Sequence, residues 1–224
     1  MDRARDRGGT AVTRVLLHAL PFGGEMWHAI ARPSDLCPDL YEFGDTLEAW
    51  ADAVLDLVPS GPLTLIGNSV GGSCAIEIAA RAPGRIEQLV LIGAKAGHAP
   101  DPKLRDAALR MLADDGLAPA WERYWQPLFA SSSAAIVESA RRAAFSHGPD
   151  AIARGVRAFH SRPDRAEWLR RFERRVIVVE GEHDRPERGR AIAETARLAT
   201  FVVVPGAGHF VPLEAPNELQ RILG

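Results

Sequence analysis

Short apolar runs alternate with stretches of helical spacing along this chain, and that alternation restricts the fold more than any other feature. The segments "RVLLHALP" (14–21), "PLTLIG" (62–67), "IEQLVLIGA" (86–94), "RRVIVVEG" (174–181) and "TFVVVPG" (200–206) read as buried strands ending in turns. A weaker, brief strand lies near Asp35 to Cys37. Residues 46–58 carry apolar side chains at helical spacing through Leu47, Trp50, Val54, Leu57 and Val58, with Thr46 as the cap. A second helix follows Ser69 and stops before Pro83, because proline disfavours helical backbone in the residue preceding it. Two more helices occupy 185–199 and 216–224. Strands feeding helices in this way predict an α/β domain, a parallel sheet with helices on both faces.

The regular pattern breaks between 95 and 173. That section has helical patches, arginines and most of the aromatic residues, but no clear strand. It reads as an insertion between two sheet strands, so the core comprises 14–94 and 174–224. Residues 1–13 are arginine-rich without an apolar run; they read as a disordered tail rather than a secretory signal.

Composition excludes several classes of function. The chain has 224 residues, a size that suits one domain, and its net charge is −2, which favours neither nucleic acid nor an anionic membrane. No stretch reaches the roughly 18 to 20 apolar residues of a membrane span. Cys37 and Cys74 show no disulfide framework and no zinc spacing. These readings predict a reducing, cytoplasmic setting.

Chemistry concentrates at "LTLIGNSVGGS" (63–73). Gly67, Ser69 and Gly71 form G-x-S-x-G between a buried strand and a helix, the setting of a nucleophile elbow. Strand and helix backbones approach too closely there for side chains at Gly67 and Gly71. The turn would lift the Ser69 hydroxyl clear of the sheet, at a helix N-terminus that favours a developing anion.

A serine hydroxyl is a poor nucleophile without a base. Of His18, His28, His98, His147, His160, His183 and His209, the last lies in a glycine-rich loop after the final strand, where it can swing over the elbow. The base needs a carboxylate to set its tautomer. "VIVVEGEHD" offers Glu180, Glu182 and Asp184 at the same sheet edge. Glu180 falls within the strand, Asp184 reaches far enough to face His209, and Glu182 is the fallback. A tetrahedral intermediate also needs two backbone N–H donors. Val70, following the nucleophile, is one. The other comes from "HALPFGGEMW": Leu20 is the first choice and Phe22 the second, since Pro21 has no N–H to give.

With these segments assembled, the chain from about Arg14 to its end resembles the α/β-hydrolase superfamily. The order Ser69, Asp184, His209 is that superfamily's nucleophile–acid–histidine order. "HALPFGGEMW" resembles its oxyanion loop, "GNSVGG" its elbow, "GEHD" its acid turn and "PGAGHFVPLEAP" its histidine loop. Within the superfamily the style is that of small esterases, enol-lactonases and carbon–carbon bond hydrolases. Three departures stand out: Ala19 replaces a glycine of the oxyanion loop, the opening hairpin is missing, and the stretch from Trp27 to Thr46 is short. A sheet of about six strands follows, with an edge that a dimer partner could cover. Phe210 stands where the carbon–carbon hydrolases often carry tryptophan.

The resemblance implies that 95–173 is a helical lid over the serine. Trp121, Trp125 and Phe129 are spaced to share one helix face, either as a pocket wall or as packing that holds the lid to the body. The arginine cluster in "PDRAEWLRRFERR" reads as a solvated helix face. The implied activity is serine hydrolysis of a small hydrophobic ester, lactone or thioester through an acyl-enzyme, without metal or organic cofactor, by a monomer or homodimer whose partner is that small-molecule substrate. A lyase or cyclase using the same three residues, or a ligand-binding protein on a hydrolase body, are the alternatives.

Overall fold

A computed structural model describes residues 11–97, 101–129 and 133–224. Most of the tail expected at 1–13, and His98, lie outside the described residues; Thr13 already belongs to the first strand. Five strands form one wholly parallel sheet in sequential order: β1 (Thr13–Leu17), β2 (Leu63–Asn68), β3 (Ile86–Ile92), β4 (Arg175–Gly181) and β5 (Ala199–Val204). Register aligns Leu17 with Gly67, Gly67 with Leu91, Leu91 with Val178 and Val178 with Phe201. The carboxyl ends of all five strands therefore open on one edge, where α/β sheets bind ligands.

The three central strands are apolar on both faces. Leu65, Ile66, Val90, Leu91, Val178 and Val179 are all buried, as expected when helices surround a parallel sheet. Helix α1 (Leu47–Leu57) packs on α2 (Val70–Arg81), and α8 (Pro186–Thr195) on β4 and β5. Thr46 caps α1 by accepting the Ala49 N–H at 3.2 Å, as its sequence position predicts.

The sixth strand expected near Asp35–Cys37 is reduced to one bridge. Leu36 pairs with Val15, exchanging bonds of 2.8 and 3.0 Å with the β1 backbone. Pro38 follows directly; it lacks an N–H and cannot extend a ladder.

Between β3 and β4 the chain is helical: α3 (Pro102–Asp114), α4 (Leu117–Ala120), α5 (Ala134–Ala144), α6 (Pro149–Ser161) and α7 (Ala166–Arg171). The buried Glu77 of α2 ties this insertion to the core. Its carboxylate accepts from Arg165 at 2.7 and 2.8 Å and from Arg81 at 3.0 Å. The arginine cluster thus divides: Arg165 makes a structural bridge, while Arg170 pairs with Glu167 on the exposed face of α7.

Trp121, Trp125 and Phe129 do not share an α-helical face. Residues Trp121–Trp125 form a π-turn and Gln126–Leu128 a 3-10 turn, so the 3.6-residue period is lost. Trp121 and Phe129 turn onto Phe22, with ring centroids 6.3 and 6.5 Å away, and Phe129 also meets Phe210 at 4.7 Å. Trp125 alone of the three faces the cavity at the sheet edge.

Candidate active site

Ser69 connects β2 to α2 with φ 55°, the sole non-glycine positive φ among the described residues. Such backbone costs on the order of 1–3 kcal/mol and persists only where its surroundings enforce it. The Ser69 N–H donates to the Ile92 carbonyl at 2.7 Å, and its own carbonyl accepts from Gly72 and Ser73. The two flanking glycines have a steric cause. A Cβ on Gly67 would overlap the Gly71 carbonyl, and one on Gly71 would overlap the carbonyls of Leu17 and His18. The helix start is therefore pressed against two strands at once.

Asp184 and His209 stand on adjoining turns, after β4 and β5. Asp184 Oδ2 lies 2.6 Å from His209 Nδ1, each side chain 14% exposed. The two turns pack backbone to backbone: the His183 N–H donates to the Ala207 carbonyl at 2.9 Å, and Gly181 has no room for a Cβ against Ala207 and Gly208. Burial opposes ionisation of Asp184, but hydrogen bonding and charge from His209 outweigh it and hold the carboxyl below its ordinary range. Ser69, Asp184 and His209 all line one cavity of about 530 Å³.

Several residues to which the sequence assigned no role hold His209 in place. Glu214 accepts from both amides flanking it, Gly208 and Phe210, each at 3.0 Å. Asn68, beside the serine, donates through Nδ2 to the His209 carbonyl at 3.2 Å and to the Ile92 carbonyl at 3.0 Å. The His209 N–H donates to the Leu128 carbonyl of the insertion at 3.0 Å. Phe210 is fully buried beside the imidazole, ring centroids 5.1 Å apart. The buried Glu180 hydrogen-bonds Asp184; burial first, then the Asp184 charge, pushes its carboxyl up to about 8.

The other candidates lie elsewhere. His18 is buried and accepts the Leu40 N–H at 2.9 Å. His147 sits 3.2 Å from Glu25, and His28 and His183 are exposed. His160 reaches the cavity from α6, but burial and nearby cations lower its affinity for a proton. Glu182 is exposed and accepts from Gly206, so its carboxylate is spent away from His209.

In the loop after β1, the Phe22 N–H donates to the Ala19 carbonyl at 2.9 Å and is thereby engaged. Leu20, at the cavity wall, and Val70, the first residue of α2, have N–H groups with no acceptor among the described residues. Ala19 is fully buried with its N–H directed at the Met26 sulfur at 3.1 Å, so the missing glycine leaves a packed turn. Among the described residues no cluster of three His, Cys, Asp or Glu is placed to hold a metal ion, and no helix is long and apolar enough to cross a membrane.

Comparison with known proteins follows the same outline. A family model described as the alpha/beta hydrolase family matches residues 15–221. A pimeloyl-[acyl-carrier protein] methyl ester esterase from Aromatoleum aromaticum is 38% identical over 90 residues, covering 35% of this chain. The match spans only 36% of that esterase, about a third of its length. An esterase from Thermogutta terrifontis superposes with a TM-score of 0.83 at 26% identity, over 96% of this chain and 89% of the other. The enol-lactonase from Burkholderia xenovorans LB400 has the same fold, with a TM-score of 0.82 at 20% identity over 97% and 92% of the two chains.

Proposed function

The chain belongs to the alpha/beta hydrolase family, and on that premise we propose that it is a serine hydrolase, cleaving a carboxylic ester, lactone or thioester through an acyl-enzyme. Ser69 Oγ attacks the acyl carbon while His209 takes its proton. The Val70 and Leu20 amides receive the oxyanion; one such donor is typically worth about 3 to 4 kcal/mol of barrier. His209 then protonates the leaving group and afterwards activates water to release the acid. Asp184 fixes the imidazole tautomer and stabilises its protonated form.

The observation that carries this reading is the 2.6 Å contact between Asp184 and His209 in a cavity that also receives Ser69 from a strained turn. The helical insertion serves as the lid. Trp125, Leu128, Leu104 and Val156 give the cavity an apolar wall suited to a small hydrophobic acyl group.

Labelling by a fluorophosphonate tests the nucleophile. Wild-type protein is expected to label and to hydrolyse short 4-nitrophenyl esters; Ser69→Ala is expected to do neither. Absence of both labelling and turnover in folded wild-type protein would overturn the reading.

A further inference from the structure

The cavity is apolar on one side and strongly cationic on another. Lys95, just beyond β3, places Nζ 4.8 Å from the centre of the Phe159 ring, and the Arg162 guanidinium carbon lies 4.3 Å from the same centre. Arg162 is 2% exposed and is anchored by donating to the carbonyls of Gly97, at 3.2 Å, and Phe159, at 2.6 Å. Two exposed residues complete the cationic group: Arg185, on the turn after Asp184, and Arg188, in the first turn of α8.

Elsewhere in the molecule arginines meet carboxylates: Arg81 and Arg165 on Glu77, Arg197 on Glu173, Arg221 on Glu218. Among the described residues, Lys95, Arg185 and Arg188 have no carboxylate within ion-pair reach. Burial, then Arg162, Arg188 and Arg185, press the Lys95 amine down to about 8, so it stays mostly charged at neutral pH against that pressure. Three acids line the same cavity, Asp101, Asp184 and Glu180. Asp184 is engaged by His209, and Glu180, with its carboxyl pushed up to about 8, is uncharged at neutral pH. Four cations therefore face two carboxylates, Asp101 and Asp184, and a half-buried Lys95 without an ion pair of its own is costly unless a ligand supplies the charge.

We propose that the substrate carries an anionic group, a carboxylate or phosphate, on its non-reacting part, and that Lys95, beside the anchored charge of Arg162, receives it inside the cavity while Arg185 and Arg188 attract it from solvent. The substrate class becomes an ester, lactone or thioester with an apolar portion and a negative end. This rests on the hydrolase reading of Ser69, but its binding step can be measured without chemistry.

Titration calorimetry on the Ser69→Ala protein with adipate and, separately, inorganic phosphate isolates that step and tells the two anions apart. Saturable binding that weakens with salt is expected for at least one of them. Affinity is expected to fall about tenfold in Lys95→Met and in Arg188→Gln, the second an exposed position that tolerates replacement. In wild type, mono-4-nitrophenyl adipate is expected to exceed 4-nitrophenyl hexanoate in kcat/KM, or 4-acetoxybenzoate to exceed its methyl ester if the anion belongs to the alcohol side. The charged-to-neutral ratio is expected to drop about tenfold in Lys95→Met. No binding of either anion, or binding unchanged in both variants, would overturn the proposal. Binding lost in the variants, together with no turnover of any ester, would sustain the anion site and sink the hydrolase reading instead.

Discussion

Glu180 and Asp184 share a hydrogen bond at the end of β4. Glu180 is 1% exposed and pressed against Gly189, where a Cβ would overlap its carboxyl. With Glu180 protonated at neutral pH, its O–H donates to the Asp184 carboxylate, which accepts from His209 on its other side.

That proton has a signature in stability. The folded protein keeps it up to about 8, whereas an unfolded glutamate releases it near its ordinary 4.5. The unfolded state then binds fewer protons, so stability declines as pH rises through this window and levels off above it. Glu180→Gln keeps a donor and cannot ionise. Its thermal stability relative to wild type is expected to rise between pH 4.5 and 8, by a few kcal/mol at most. Melting curves across that range check this; a constant difference would remove the buried proton.

Strain at Ser69 gives a second test. Glycine tolerates positive φ and alanine does not. Both Ser69→Gly and Ser69→Ala are expected to be inactive, but the glycine variant is expected to be more stable by about 1 kcal/mol in chemical denaturation. Equal stability would mean that the turn is relaxed.

Asp184→Asn should preserve the fold and lose activity. An amide can hold the imidazole in the wrong tautomer and offers no charge to the protonated ring. A fall in kcat of about 10³ to 10⁴ is expected, with little change in KM. Steady-state kinetics decide it, and a loss below about tenfold would move the acid's role to another carboxylate.

Glu214 acts through the backbone of the histidine loop. Glu214→Ala leaves the Gly208 and Phe210 amides without their acceptor and lets His209 drift. A misplacement near 1 Å costs about 10²-fold, so kcat is expected to fall by about 10- to 100-fold. Glu214→Gln retains one acceptor oxygen and should lose less. Parallel kinetics and melting curves separate this from general unfolding.

Much of this architecture is legible in sequence because the strands are short and continuously apolar, and because each turn at the carboxyl edge carries a steric requirement. Gly67 and Gly71 show why: each occupies a place where one extra carbon would meet backbone. Ser69, Asp184 and His209 could be nominated from their loops, since every such loop ends at one sheet edge. Periodicity failed at Trp121–Trp125, where a single π-turn shifts the faces of the aromatic residues. It failed also at Leu36, whose single bridge stops at Pro38. Glu180 read as an ordinary strand residue, because its importance lies in burial against Gly189 and in a neighbour on the next turn. Glu214 lay within the histidine-loop segment but was assigned no role there, and Lys95 became notable only when α6 and its C-terminal Arg162 brought Phe159 and the guanidinium to it.

The His209 amide is fastened to the Leu128 carbonyl, so the histidine loop and the helical insertion share one tether. An outward swing of that segment to admit a molecule must part this bond and leave the imidazole held from fewer sides. On the proposed mechanism, admission and reaction would then be alternating states, with the protein least reactive at the moment when its doorway stands widest.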